Sequence, residues 1–172
     1  WSQTVDIELL ADPRIEVSQA DLEAQYELAT EIWETLSESH QALARIRDMR
    51  SQVEELTERL EKAGYGDGIA EISETIGQQL TSIEEKIYQT KNESSQDILN
   101  YPPRLDNKIL DVLSTVQSAD ARPTDGAIEL YRDLQNELEG YLAEMDGVIG
   151  GEIAQLNQLV RETSAPAVLV PE

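Results

Sequence analysis

Cysteine and phenylalanine are both absent from this 172-residue chain, and histidine occurs once. Without cysteine there is no disulfide, no thiol nucleophile and no cysteine–metal centre. A single imidazole excludes any site that needs two. Cations are scarce as well: 13 Lys and Arg face 35 Asp and Glu, a formal net charge of -22. Such a surface repels phosphate backbones and anionic lipid, which argues against nucleic-acid and peripheral-membrane binding. No apolar run approaches the length of a membrane span, so membrane insertion is not expected. What remains is 40% hydrophobic and 28% charged residues, enough to bury a real core in one domain. Because the chain opens on Trp1 rather than Met, it reads as a mature or cut piece of a longer precursor.

The hydrophobic pattern divides the chain into three parts. Residues 1–17 alternate: Val5, Ile7 and Leu9, then Ile15 and Val17 after a turn at Asp12-Pro13. Two such pieces cannot make a stable sheet alone, so they read as a strand-like arm, the end of an upstream β domain. From 18 to 165 the period becomes helical, and 166–172 is an apolar tail. Ser18-Gln19-Ala20-Asp21 resembles a capping box. A stripe of Leu22, Tyr26, Ala29, Trp33, Leu36, Leu43, Ile46, Val53, Leu56 and Leu60 follows, with no Gly or Pro from Asp21 to Ala63. A helix of about 40 residues would be roughly 60 Å long. Gly64-Tyr65-Gly66-Asp67-Gly68 ends it and reverses the chain. A second stripe runs Ile69, Ile72, Ile76, Leu80, Ile83 and Ile87, and then fades into polar residues from Gln89 to Asp97. Helical spacing resumes at Leu105, Ile109, Val112, Leu113 and Val116. Pro123-Thr124 opens a last helix, which Gly147, Gly150 and Gly151 weaken locally.

The expected class is all-α. Separate helices would leave a short Leu105–Val116 helix facing neighbours two to three times longer. An up-down-up three-helix bundle with coiled-coil-like spacing avoids this, its middle rod kinked at Tyr101-Pro102-Pro103. A four-helix bundle is the alternative. The inner stripes suffice for one chain, so a monomer is expected.

Several segments resemble a known tail. They are Asp12-Pro13-Arg14-Ile15 with Val17-Ser18-Gln19-Ala20-Asp21-Leu22-Glu23-Ala24-Gln25-Tyr26, Ile46-Arg47-Asp48-Met49-Arg50, and Tyr101-Pro102-Pro103-Arg104-Leu105-Asp106-Asn107-Lys108. Ser118-Ala119-Asp120-Ala121-Arg122-Pro123-Thr124 and Leu156-Asn157-Gln158-Leu159-Val160 complete the set. In order, they resemble the C-terminal helical region of bacterial exported proteins with BNR/Asp-box repeats. Those proteins carry sortilin-like, VPS10-type β-propellers and are often labelled glycosyl hydrolases. The resemblance implies an extracytoplasmic location, whether periplasmic, cell-surface or secreted. It implies a partner in an upstream β-propeller or β-sandwich module, or in another envelope protein. It carries no catalytic motif onto this chain.

The residues themselves point to no catalytic, cofactor or metal site. His40 falls on the inner stripe seven residues after Trp33, but Ser37 stands where a Glu-x-x-His metal motif needs Glu. The pairs Glu54-Glu55, Glu84-Glu85 and Glu137/Glu139 read as a solvated face. The Gly64–Gly68 loop lacks the lysine and preceding strand of a phosphate-binding loop. Tyr101, Pro102, Pro103 and Arg104 read as a kink, with partner docking as the functional alternative. Arg104 and Arg122 are expected to pair with Asp106 and Asp120 and hold the breaks in place.

Overall fold

In a computed structural model the protein is described from residue 1 to 165, except Leu9, Ala11, Asp67, Ser95 and the side chain of Ile98. The described residues are helical with no strand: α1 (Gln19–Lys62), α2 (Ile69–Ile87), α3 (Leu105–Val116), α4 (Asp125–Val148) and α5 (Ala154–Thr163). The period-two piece at Leu9 and the tail 166–172 fall partly or wholly outside the described residues.

The ends of α1 are local chemistry. The Ser18 hydroxyl accepts from the Asp21 amide at 3.2 Å, and the Asp21 carboxylate accepts from the Ser18 amide at 3.3 Å, so the capping box forms. At the other end Tyr65 N–H reaches the Leu60 carbonyl and Gly64 N–H the Glu61 carbonyl. That reciprocal pair is a Schellman motif, and it requires the left-handed backbone that Gly64 adopts at φ 81°. Between the caps α1 runs 44 residues, about 66 Å.

The inner seam of α1 steps four and three residues at a time: Leu28, Ile32, Thr35, Ser39, Ala42, Ile46, Val53 and Leu60 are buried, with Met49 and Leu56 half-buried in the same series. The sequence-based stripe drifted off this seam: Tyr26 and Trp33 are exposed, and so is His40. The true seam was obscured because its middle is small and polar. Thr35 shares a hydrogen bond with the Tyr131 hydroxyl at 2.9 Å, and the Ser39 hydroxyl donates to the Leu36 carbonyl at 2.7 Å. Neither polar atom is left bare by burial.

α2 buries the stripe expected of it, Ile69 to Ile87. It then stops. Tyr88 is extended, and the described residues from there to Arg104 are loop with a 3₁₀ turn at Asp97–Leu99. The single helix kinked at Tyr101-Pro102-Pro103 is therefore replaced by two helices with a long connection. The reason lies upstream of the prolines: Gln89 to Asp97 carries no apolar stripe to hold a helix against the core. Its polar groups bond locally instead. The Asp97 carboxylate accepts from the Glu93 and Ser94 amides at 2.8 Å each, and the buried Gln89 amide donates to the Pro102 carbonyl at 2.9 Å.

Cross-helix contacts give the register. Gln25 donates to the Val116 and Ala119 carbonyls, His40 faces Asp106, Arg47 and Arg50 reach Glu84, and Thr57 donates to Ser73. Rising numbers on α1 meet falling numbers on its neighbours, so α3 and then α2 lie antiparallel along α1. On α4, Tyr131 meets Thr35 of α1 and Glu144 meets Lys86 of α2, while Glu152 meets Gln79. Helical residues run unbroken from Asp125 to Thr163, with a π-helical turn at Ile149–Ile153 where Gly150 and Gly151 sit. The arm, residues 1–17, makes no ladder among its described residues. A turn closed from Ile15 N–H to the Asp12 carbonyl is present, and Val5 and Ile7 are exposed. Alternation alone does not make a strand without a neighbouring backbone to bond.

Candidate functional site

The densest polar chemistry lies where α2 gives way to the loop. Arg47 and Arg50, three residues apart on α1, converge on Glu84 of α2. Arg47 Nε is 2.6 Å from Glu84 Oε1, and Arg50 Nη1 is 2.8 Å from Oε2 and 3.0 Å from Thr81 Oγ1. The Glu84 side chain is only 5% exposed. The Arg47 guanidinium also lies 5.3 Å from the centre of the Tyr88 ring, the first residue past α2. Glu84 was thus misplaced by a reading that put it with Glu85 on a solvated face. The signal was present: Glu84 stands four residues after Leu80 and three before Ile87, on the buried stripe.

On the α4 side of the same level, Lys86 Nζ is 2.5 Å from Glu144 Oε2 and 5.2 Å from the Tyr141 ring centre. The Tyr141 hydroxyl donates to Glu137 Oε1 at 2.6 Å. That bond, with burial and the Glu137 and Glu144 charges, pushes the phenol up to about 12.

Beyond the loop, Asp106 is buried near the start of α3 and accepts from the Asn107 amide at 2.8 Å. Burial raises its carboxyl above the ordinary range, opposed by that amide and by His40, whose Nε2 is 3.8 Å away. His40 is exposed on its side of the pair rather than set in the core. The expected ion pairs of Arg104 with Asp106 and of Arg122 with Asp120 do not form among the described residues. Arg104 instead caps α3 through its backbone, its N–H donating to Asn107 Oδ1 at 3.2 Å, while its buried Nε has no hydrogen-bond partner among the described residues. Tyr101 is half-buried, and Pro102 and Pro103 are exposed.

This arrangement fixes helices to one another. Both oxygens of Glu84 are committed to arginines, Glu144 to Lys86 and Glu137 to Tyr141. Among the described residues no three His, Asp or Glu side chains converge as a metal site would need. A groove of about 500 Å³ lies elsewhere, between Met49, Val53 and Leu56 of α1 and Leu156 of α5. No helix among the described residues is long and apolar enough to cross a membrane. No family model, curated protein or solved structure matches the chain. The likeness to the tail of BNR-repeat proteins therefore stands on the quoted motifs alone.

Proposed function

We propose that this chain is a non-catalytic helical spacer and interaction domain at the C-terminal end of a large exported β-propeller protein. The observation that carries the mechanical part is the register along α1. α3 and α2 succeed one another along its length, and the run from α4 to α5 lies beside them. We read this as three rods, up, down and up, with the middle rod broken between Tyr88 and Arg104. The paired arginines on Glu84 and the lysine on Glu144 brace that break. A rod of about 66 Å is suited to holding modules apart. The arm, residues 1–17, would be the last strand of the upstream module, and the location would be extracytoplasmic. Both rest on the resemblance. In this reading the isolated bundle is a monomer.

A second reading, a processed accessory subunit of an envelope complex, is favoured by the exposure of Tyr26 and Trp33 on α1. Immunodetection of the native polypeptide in its source separates the two. A species several times the 19.2 kDa of this chain supports the tail domain, and one at this size supports the processed subunit. A carboxylate-based hydrolase is the least favoured reading, because both oxygens of the buried Glu84 are held by arginines.

A further inference from the structure

Two large side chains on α1 are conspicuously outside the core: Tyr26 is 73% exposed and Trp33 60%. They stand seven residues apart, on one flank of the helix, about 10 Å from one another along its axis. His40 is the next residue in that series, and it faces Asp106 of α3. Leu110, one turn after Asp106, is 46% exposed on the corresponding flank of α3. The pairs His40–Asp106 and Gln25–Val116 bracket the register, and between them Leu110 comes level with Trp33. The outer side of the α1–α3 seam therefore presents an aromatic stripe with an aliphatic shoulder.

The electrostatic setting of this stripe is one-sided. From Ile15 to Ala44 the chain has seven Asp and Glu and no Lys or Arg. Around α1, beyond Thr30 and Ser37, the solvent side of the stripe is bordered by the exposed Glu23, Glu27 and Glu34. On α3, Lys108 is two residues from Leu110 and so on nearly the opposite face of that helix. Arg122 and Arg132 share the α1–α4 groove with Glu27 and Glu31, but Glu23, Glu27 and Glu34 form no ion pair among the described residues, and the balance beside the stripe is negative. An apolar strip beside net negative charge repels a second acidic copy of the same chain and attracts a cationic partner.

We propose that the outer α1–α3 seam docks a basic amphipathic helix of a partner protein. Apolar anchors of the partner would cover Tyr26, Trp33 and Leu110, as one helix lies in the groove between two others. Its Lys or Arg side chains would meet Glu23, Glu27 and Glu34, or lie over the Trp33 face. This rests on the reading of the chain as an interaction domain and names the chemistry of what it holds.

The test uses the whole chain and a synthetic helix of about 18 residues with leucines on one face and lysines elsewhere. Affinity is read from the anisotropy of the labelled peptide. In a Trp1→Phe background, emission reports Trp33 alone. Binding should shift that emission to the blue and weaken steeply with added salt. Tyr26→Ala and Trp33→Ala should each lower affinity about tenfold or more. Both residues are exposed, so circular dichroism should be unchanged. Glu27→Gln with Glu34→Gln should lower affinity and flatten the salt dependence. The proposal is overturned by unchanged affinity in both aromatic variants, or by polylysine binding as well as the amphipathic helix, which would make the attraction charge alone. Absence of binding overturns it too. So does self-association that Trp33→Ala abolishes, which would make the seam an interface between copies. The size of the native polypeptide bears on the spacer reading and not on these results.

Discussion

Glu84 shows how a single buried carboxylate sets conditions for its neighbours. It sits on the stripe of α2 that otherwise buries isoleucine and leucine, and two arginines of α1 supply the hydrogen bonds that water would have given it. The arginines remain partly exposed, so they can return to water if their partner is lost. Glu84→Ala should therefore cost about 2 kcal/mol, less than a fully buried pair, read from urea unfolding followed by circular dichroism. A loss within error of zero would show that the cluster does not brace the break. Tyr141 acts at high pH. Its folded pKa, about 12, lies above the ordinary tyrosine value of 10.0. Between those values the unfolded chain releases a proton that the folded chain keeps, so stability falls as pH rises from 10 to 12. Tyr131 is shifted in the same direction by burial and contributes to the same decline. Tyr141→Phe should have a shallower decline in melting temperature across this window than the parent chain. Parallel curves would remove the Tyr141–Glu137 bond from the account.

Glycines of the same type play opposite parts in the elements. Gly64 closes α1 in a left-handed conformation, whereas Gly150 lies within a helical run and has no positive φ. A Cβ on either would meet nothing within 4 Å, so backbone conformation decides the sign. Gly64→Ala should lose about 1 kcal/mol and Gly150→Ala should gain about 0.5–1 kcal/mol, compared by chemical denaturation. A loss at Gly150 would mean that the π-helical turn needs glycine for its own geometry. Much of this level was legible beforehand. The capping box at Ser18, the stop at Gly64, the stripe of α2 and the start of α4 after Pro123-Thr124 are set by groups within five residues of one another. The loop from Tyr88 to Arg104 was read less well. Its prolines drew attention, but the helix had already ended at Ile87 for want of an apolar face.

Charge dominates the behaviour of the whole molecule. At -22 the folded chain repels itself, and the repulsion is greater when the charges are held along compact rods than when the chain is expanded. Sodium chloride shortens the Debye length from about 30 Å at 0.01 M to about 10 Å at 0.1 M, so melting temperature should rise across that range. A fall would mean that surface pairs such as Lys62 with Glu58 outweigh the net repulsion. The same charge leaves the aromatic seam of α1 and α3 with a preference of sign.

The amino-acid order by itself determined that the chain is helical, where α1 is capped and stopped, and which face of α2 is apolar. Those features follow from hydrogen bonds and side-chain spacing inside single helices. Which flank of α1 points inward was set by packing between helices. Tyr26 and Trp33 are the larger apolar groups, yet the core is built on Ile32, Thr35 and Ser39. That choice depends on what α3 and α4 present from far along the chain, such as the Tyr131 hydroxyl for Thr35 and the Val116 carbonyl for Gln25. The burial of Glu84 depends in the same way on Arg47 and Arg50 arriving from a different helix. Interactions of that range leave no period in the sequence.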